Sequence, residues 1–116
     1  MSIEITEINE IPRPVLAYEE GSRKIVLEDF LFDARTDIDG YLNEISKAEK
    51  NEGVPTGFTS NQVDASFFSN KAEIEHLWSE DENGELIFVE IPLTEVKQLL
   101  LEWKSVLNSW HQKNPK

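Results

Sequence analysis

The sequence contains no cysteine, and this absence removes several kinds of chemistry at once. Without thiols the chain has no disulfide framework, no Cys-ligated zinc, no iron–sulfur cluster and no cysteine nucleophile. It also lacks a basic, apolar leader at its start and any apolar run of the roughly 18 residues that a membrane span needs. We therefore expect a cytoplasmic protein with no membrane contact.

Groups for acid–base catalysis are scarce as well. The two histidines, His76 and His111, fall on different predicted elements, and an isolated histidine is more often structural or solvated than catalytic. The sequence has no phosphate-binding glycine loop, nucleophile elbow or metal-binding His pair. Asp37-Ile38-Asp39-Gly40 matches part of a calcium loop, but Arg35 and Ser46 occupy two ligand positions, so helix capping explains it better. We expect no enzyme, cofactor or metal, with a carboxylate-based hydrolase or small-ligand domain as the less favoured alternative.

Carboxylates dominate the charged residues. The formal net charge is −12 over 116 residues, and Glu73 to Glu95 contains eight Asp or Glu residues without one Lys or Arg. Such a chain repels nucleic acid and anionic membranes and attracts cationic partners. Three Trp and six Phe argue against a disordered acidic chain. We expect one folded domain over residues 1–116 and a basic protein partner.

The apolar periodicity predicts an α+β domain. Helical spacing predicts one helix over about residues 36–50 and a C-terminal helix over about residues 94–110, with Trp110 completing its apolar stripe. Short β-prone runs predict strands at residues 3–8, 15–18, 24–27, 63–67, 72–78 and 86–91, with the second and third joined as a hairpin through residues 19–22 and residues 50–57 as a loop. These strands would form one antiparallel sheet of about five or six strands, with the first helix between its halves.

The acidic region is predicted to be a β-hairpin. A two-residue turn at Asn83-Gly84 would place Glu82 opposite Glu85, Glu80 opposite Ile87 and Trp78 opposite Val89. Like charges would then meet at the tip, unless the segment is simply a solubilising loop.

One face of this hairpin would carry acids around an apolar centre. Its residues are Glu73, Glu75, Leu77, Ser79, Leu86, Phe88 and Glu90. That pattern is typical of a protein interface, but a helix covering Leu77 and Phe88 is the alternative, and for Phe88 we favour a place in the core.

The second half of the chain combines several predicted elements in a characteristic order. It combines polar-alternating strands at Val63 to Phe67 and Ala72 to Trp78, the Asn83-Gly84 hairpin, the strand Leu86 to Ile91, and a helix from Leu93 to Trp110 containing Glu102-Trp103-Lys104. Residues 62–110 thereby resemble small bacterial immunity proteins that neutralise polymorphic or contact-dependent growth-inhibition toxins. The resemblance implies a catalytically bare inhibitor that binds a toxin domain and covers or distorts its active site.

Electrostatics suggests the same function independently. A nuclease needs a positive cleft for phosphates, and an inhibitor that presents carboxylates can occupy that cleft. The candidate contacts are Glu73, Glu75, Glu80, Asp81, Glu82 and Glu85, with Asp64 as an outlying member. Charge reversal at three of them, Glu80, Asp81 and Glu82, should slow association at least about tenfold at low salt. The alternative partner is another basic protein, bound by an acidic adaptor or DNA-mimic regulator.

Overall fold

The computed structural model describes residues 3–50, 56–59, 62–80, 84 and 86–113. The elements are β1 (Glu4–Ile8), β2 (Ile11–Val15), α1 (Gly21–Ala34), α2 (Ile38–Lys50), β3 (Thr56–Thr59), β4 (Val63–Phe67), β5 (Lys71–Glu80), β6 (Leu86–Pro92) and α3 (Leu93–Lys113). The α+β class is confirmed. The expectation of one sheet of about five or six strands is wrong, because the described strands form two antiparallel sheets, of two and four strands.

The smaller sheet is the β1–β2 hairpin. Its connecting residues Asn9 and Glu10 have positive φ angles of 53° and 65°, the conformation of a two-residue type I′ turn. Pro12 and Pro14 both lie within β2. A two-stranded ribbon leaves alternate N–H groups of each strand unpaired, so it accommodates prolines that a central strand would exclude.

The predicted hairpin over residues 15–27 is wrong, because residues 24–27 belong to helix α1. The buried positions of α1 repeat at spacings of one and three and form one helical stripe: Val26, Leu27, Phe30, Leu31 and Ala34. Gly21 does adopt a positive φ of 69°, but as the first residue of α1 and not in a hairpin loop. A short apolar run such as residues 24–27 fits a strand and a helix equally. Here the helical repeat of apolar residues from Val26 to Ala34 favours the helix.

The two predicted helices are confirmed with small shifts at their ends. α2 begins at Ile38 and not at Thr36, because Asp37 caps it: Asp37 Oδ1 accepts the Gly40 N–H at 3.1 Å. A β-carbon on Gly40 would collide with that carboxylate. α3 runs from Leu93 to Lys113, and Trp110 near its end is only half-buried.

The larger sheet has the order β3-β4-β5-β6, and all neighbouring strands are antiparallel. Strand β3 was not predicted: Thr56 and Gly57, expected in a loop, pair with β4, while residues 51–55 lie outside the described part. The predicted strands β4, β5 and β6 are confirmed.

The predicted register of the β5–β6 hairpin is wrong. Val89 lies opposite Ile74 and not Trp78, and Glu80 lies opposite Leu86 and not Ile87. An irregularity between Glu75 and Glu80 shifts the pairing, as a β-bulge does. The predicted Glu82–Glu85 pair and the turn that would form it lie outside the described residues.

The helices cover one face of the four-stranded sheet. Phe30 of α1 contacts Phe67 of β4 and Tyr41 of α2 edge-on, with ring centroids 6.5 and 5.5 Å apart. The buried side chains of the helices and of the inner sheet face form one continuous cluster. The burial of apolar surface between these layers holds the sheet against the helices.

Trp103 connects helix α3 to helix α1. It is fully buried, and its indole N–H donates to the Leu31 carbonyl of α1 at 2.8 Å. That carbonyl lies in the last turn of α1, where the Arg35 N–H donates to Phe32 instead. The indole therefore satisfies a carbonyl at the helix end. None of the helices in the described part of the chain is long and apolar enough to cross a membrane.

Candidate partner-binding surface

The outer face of the four-stranded sheet carries the charged residues of its strands. In β4 and β5 the buried residues alternate with partly exposed ones, so that Ala65 and Ile74 point into the core while their neighbours lie on the other side. We name the outer group the acidic face: Asp64, Glu73, Glu75 and Glu90, together with Phe88 on the edge strand β6.

The strand register brings these carboxylates together in pairs. Asp64 of β4 lies opposite Glu75 of β5, and Glu73 of β5 lies opposite Glu90 of β6. Like charges at opposed positions destabilise a sheet by a few tenths to about 1 kcal/mol per pair. The fold tolerates this cost.

One lysine partly neutralises one end of the acidic face. Lys71 Nζ lies 2.8 Å from Glu90 Oε1 and 3.1 Å from Glu73 Oε2. The hydrogen bonds to Glu90 and then to Glu73 raise the pKa of Lys71 above its usual value. Among the described residues, the outer side of the sheet therefore carries four carboxylates and one ammonium group, so the acidic face keeps a net negative charge.

The acidic face also carries apolar side chains. Phe88 lies opposite Glu75 and is 52% exposed, so the expectation that it belongs to the core is wrong. Leu77 is half-buried on β5. The physical reason is the strand period of two: Val89 and Ile91 face the helices, so Phe88 and Glu90 face away from them.

The structure places three of the seven candidate contacts on one surface. Asp64, Glu73 and Glu75 lie side by side, and Asp64, expected to be outlying, is a direct neighbour of Glu75. Glu80 lies on β5 opposite Leu86. The remaining three candidates, Asp81, Glu82 and Glu85, lie outside the described residues.

Sequence reasoning did not nominate Glu90 as a contact, although it placed Glu90 on the right face. The available signal was the alternation of Phe88 and Glu90 with the apolar Val89 and Ile91. Residues two apart on a strand lie on the same side, so an exposed Glu90 indicates that Phe88 also lies on the outer side.

His76 occupies a structural position. It is 3% exposed on the inner side of β5, and its Nε2 lies 2.6 Å from Asp29 Oδ2 on α1. This contact ties α1 to the centre of the sheet. His111 is exposed near the end of α3, so the two histidines lie on different elements as expected.

Two carboxylates line a cavity of about 150 Å³ between the β1–β2 hairpin and α1. Glu28 accepts the Leu16 N–H at 2.8 Å and pairs with Lys24 at 2.6 Å, while Asp29 contacts His76. Both carboxylates therefore hold structural bonds. Within the described ranges, no three His, Asp or Glu side chains converge as a metal site would require.

Comparison of the chain with protein-family models, curated proteins and solved structures gives no match.

Proposed function

We propose that this chain is a non-catalytic inhibitor of the immunity type, which binds a basic toxin domain, a nuclease, through the acidic face. The observation that supports this proposal is the outer side of the four-stranded sheet, which no described helix covers and where four carboxylates lie beside an exposed phenylalanine.

Electrostatics supports the basic partner. A face of net negative charge on a chain of net charge −12 attracts a positive cleft over distances comparable to the Debye length, about 8–10 Å at physiological salt. Carboxylates that enter a phosphate-binding cleft compete with the nucleic-acid backbone for the same Lys and Arg side chains.

The apolar side chains of the acidic face support a protein partner and not a cloud of small cations. Interfaces combine an apolar core with a polar rim, and aromatic side chains near the centre contribute much of the binding energy. Phe88, opposite Glu75, and Leu77, two residues along β5 from Glu75, provide apolar contacts beside the acids.

The proposal is tested by affinity capture from host lysate at low and high salt, followed by mass spectrometry. The baits are the natural chain and a face variant that combines Glu73→Gln, Glu75→Gln and Glu90→Gln. We expect the natural chain to retain one basic protein stoichiometrically at low salt, and the face variant to lose it. The retained protein should be a nuclease whose activity the natural chain inhibits.

A matched control carries the same change in net charge elsewhere. Glu4→Gln, Glu7→Gln and Glu20→Gln alter three exposed carboxylates outside the acidic face and should leave capture unchanged. Equal loss with both variants would show that only total charge matters, and equal retention would contradict the proposal. Competition with DNA then separates an inhibitor that occupies the nuclease cleft, which DNA displaces, from one bound elsewhere.

A further inference from the structure

The last strand of the larger sheet, β6, is an edge strand. In the described part of the chain it pairs only with β5 and terminates the order β3-β4-β5-β6. An edge strand presents a row of N–H and C=O groups without sheet partners, and these can pair with another chain.

The edge strands β3 and β2 carry features that discourage such pairing, and β6 lacks most of them. β3 at the opposite edge has only four residues, and β2 contains Pro12 and Pro14 with Arg13 between them. Short strands, prolines and basic side chains all protect edges. β6 has seven residues, Leu86 to Pro92, starts with four apolar ones, contains no Lys or Arg, and has its proline only at the last position.

Charge distinguishes the possible occupants of this edge. A second copy of the chain would bring another net charge of −12 to a strand that already exposes Glu90 beside Glu73. A cationic segment would meet these carboxylates favourably. A strand added next to β6 would lie about 4.8 Å away, which puts its outer side chains within reach of Glu90 and of the exposed ring of Phe88.

We propose that β6 accepts an extended segment of the basic partner as an additional strand of the sheet, with Lys or Arg side chains over the acidic face. This inference rests on the proposed function for the charge of the partner and adds the mode of recognition. Main-chain hydrogen bonds to β6 would contribute affinity, while Glu90 and Phe88 would select basic and apolar side chains on the outer side.

The test uses a capped seven-residue peptide of alternating Lys and Val, titrated into the full chain at low salt and followed by NMR. Two analogues carry N-methyl groups on either the Val or the Lys backbone nitrogens, which removes the donors along one edge of the peptide. Strand addition predicts saturable binding of the parent peptide. It also predicts that one analogue loses at least about tenfold in affinity while the other loses much less. Amide exchange should slow at alternate residues of β6.

Each other outcome has a definite meaning. Equal binding of all three peptides, or no saturable binding of the parent peptide, overturns strand addition. If the three peptides bind the natural chain equally while the face variant, with Glu73, Glu75 and Glu90 changed to Gln, binds none of them, the acidic face binds the peptide without strand addition. If only one methylated analogue loses binding and the face variant binds normally, strand addition stands and the proposed role of the carboxylates fails.

Discussion

Two phenylalanines on opposite sides of the same sheet provide the sharpest test of the uncovered face. Phe67 of β4 is 0% exposed and Phe88 of β6 is 52% exposed. Replacing a buried Phe with Ala costs about 3–5 kcal/mol, because transfer free energy is lost and a cavity remains. Full burial of such a side chain contributes about 1.5–3 kcal/mol, so the half-exposed Phe88 should lose no more than about 1.5 kcal/mol. The Phe67→Ala variant should therefore be less stable than the Phe88→Ala variant by at least about 1.5 kcal/mol.

The assay is urea unfolding followed by far-ultraviolet circular dichroism, with the same two-state analysis for the natural chain and both variants. The slope of the free energy of unfolding against urea should be unchanged, so that the difference appears as a shift of the midpoint. Equal losses above about 3 kcal/mol for both variants would refute the reasoning, since they would mean that another part of the protein covers Phe88.

Three further changes probe contacts within the core and at its boundary. Trp103→Phe removes the indole N–H that the Leu31 carbonyl accepts and leaves a small cavity, so urea unfolding should show a loss of about 2–4 kcal/mol. Asp29→Ala removes a hydrogen-bond partner of buried His76 and should cost about 1–3 kcal/mol, with a smaller loss for Asp29→Asn. Burial, and then neighbouring carboxylates, raise the pKa of Tyr18. Its contribution to stability is therefore fully present below about pH 10 and is lost as the pH rises through the higher folded-state pKa. Tyr18→Phe should remove that alkaline loss in a pH series of unfolding curves.

The sequence pattern predicts only part of the acidic face. The alternation of Glu73 and Glu75 with Ile74 placed these carboxylates on one side of a strand, and the structure confirms it. That Asp64 lies opposite Glu75 depends on the pairing of β4 with β5, which no local pattern specifies. Register is a property of two strands and of the irregularities between them.

Phe88 shows why a hydrophobic residue alone does not identify the core. Leu86 to Val89 is apolar on both sides and therefore fits a central strand covered on two faces. In the tertiary structure the helices cover only one face of the sheet, and β6 is at its edge. These four residues are thus compatible with a central strand covered on two faces and with an edge strand covered on one, and the packing of the helices decides between the two.

The net charge, the lack of cysteine chemistry, the α+β class, and the positions of α2, α3, β4, β5 and β6 follow from the sequence alone, because composition, helical periodicity, strand alternation and turn residues are local signals. Three features depend on tertiary contacts: that residues 21–34 form a helix, that the strands divide into two sheets, and which side of the larger sheet the helices leave uncovered in the described part of the chain. The physical reason is that short apolar runs fit several local conformations, and the choice among them depends on which contacts bury the most apolar surface in the complete fold.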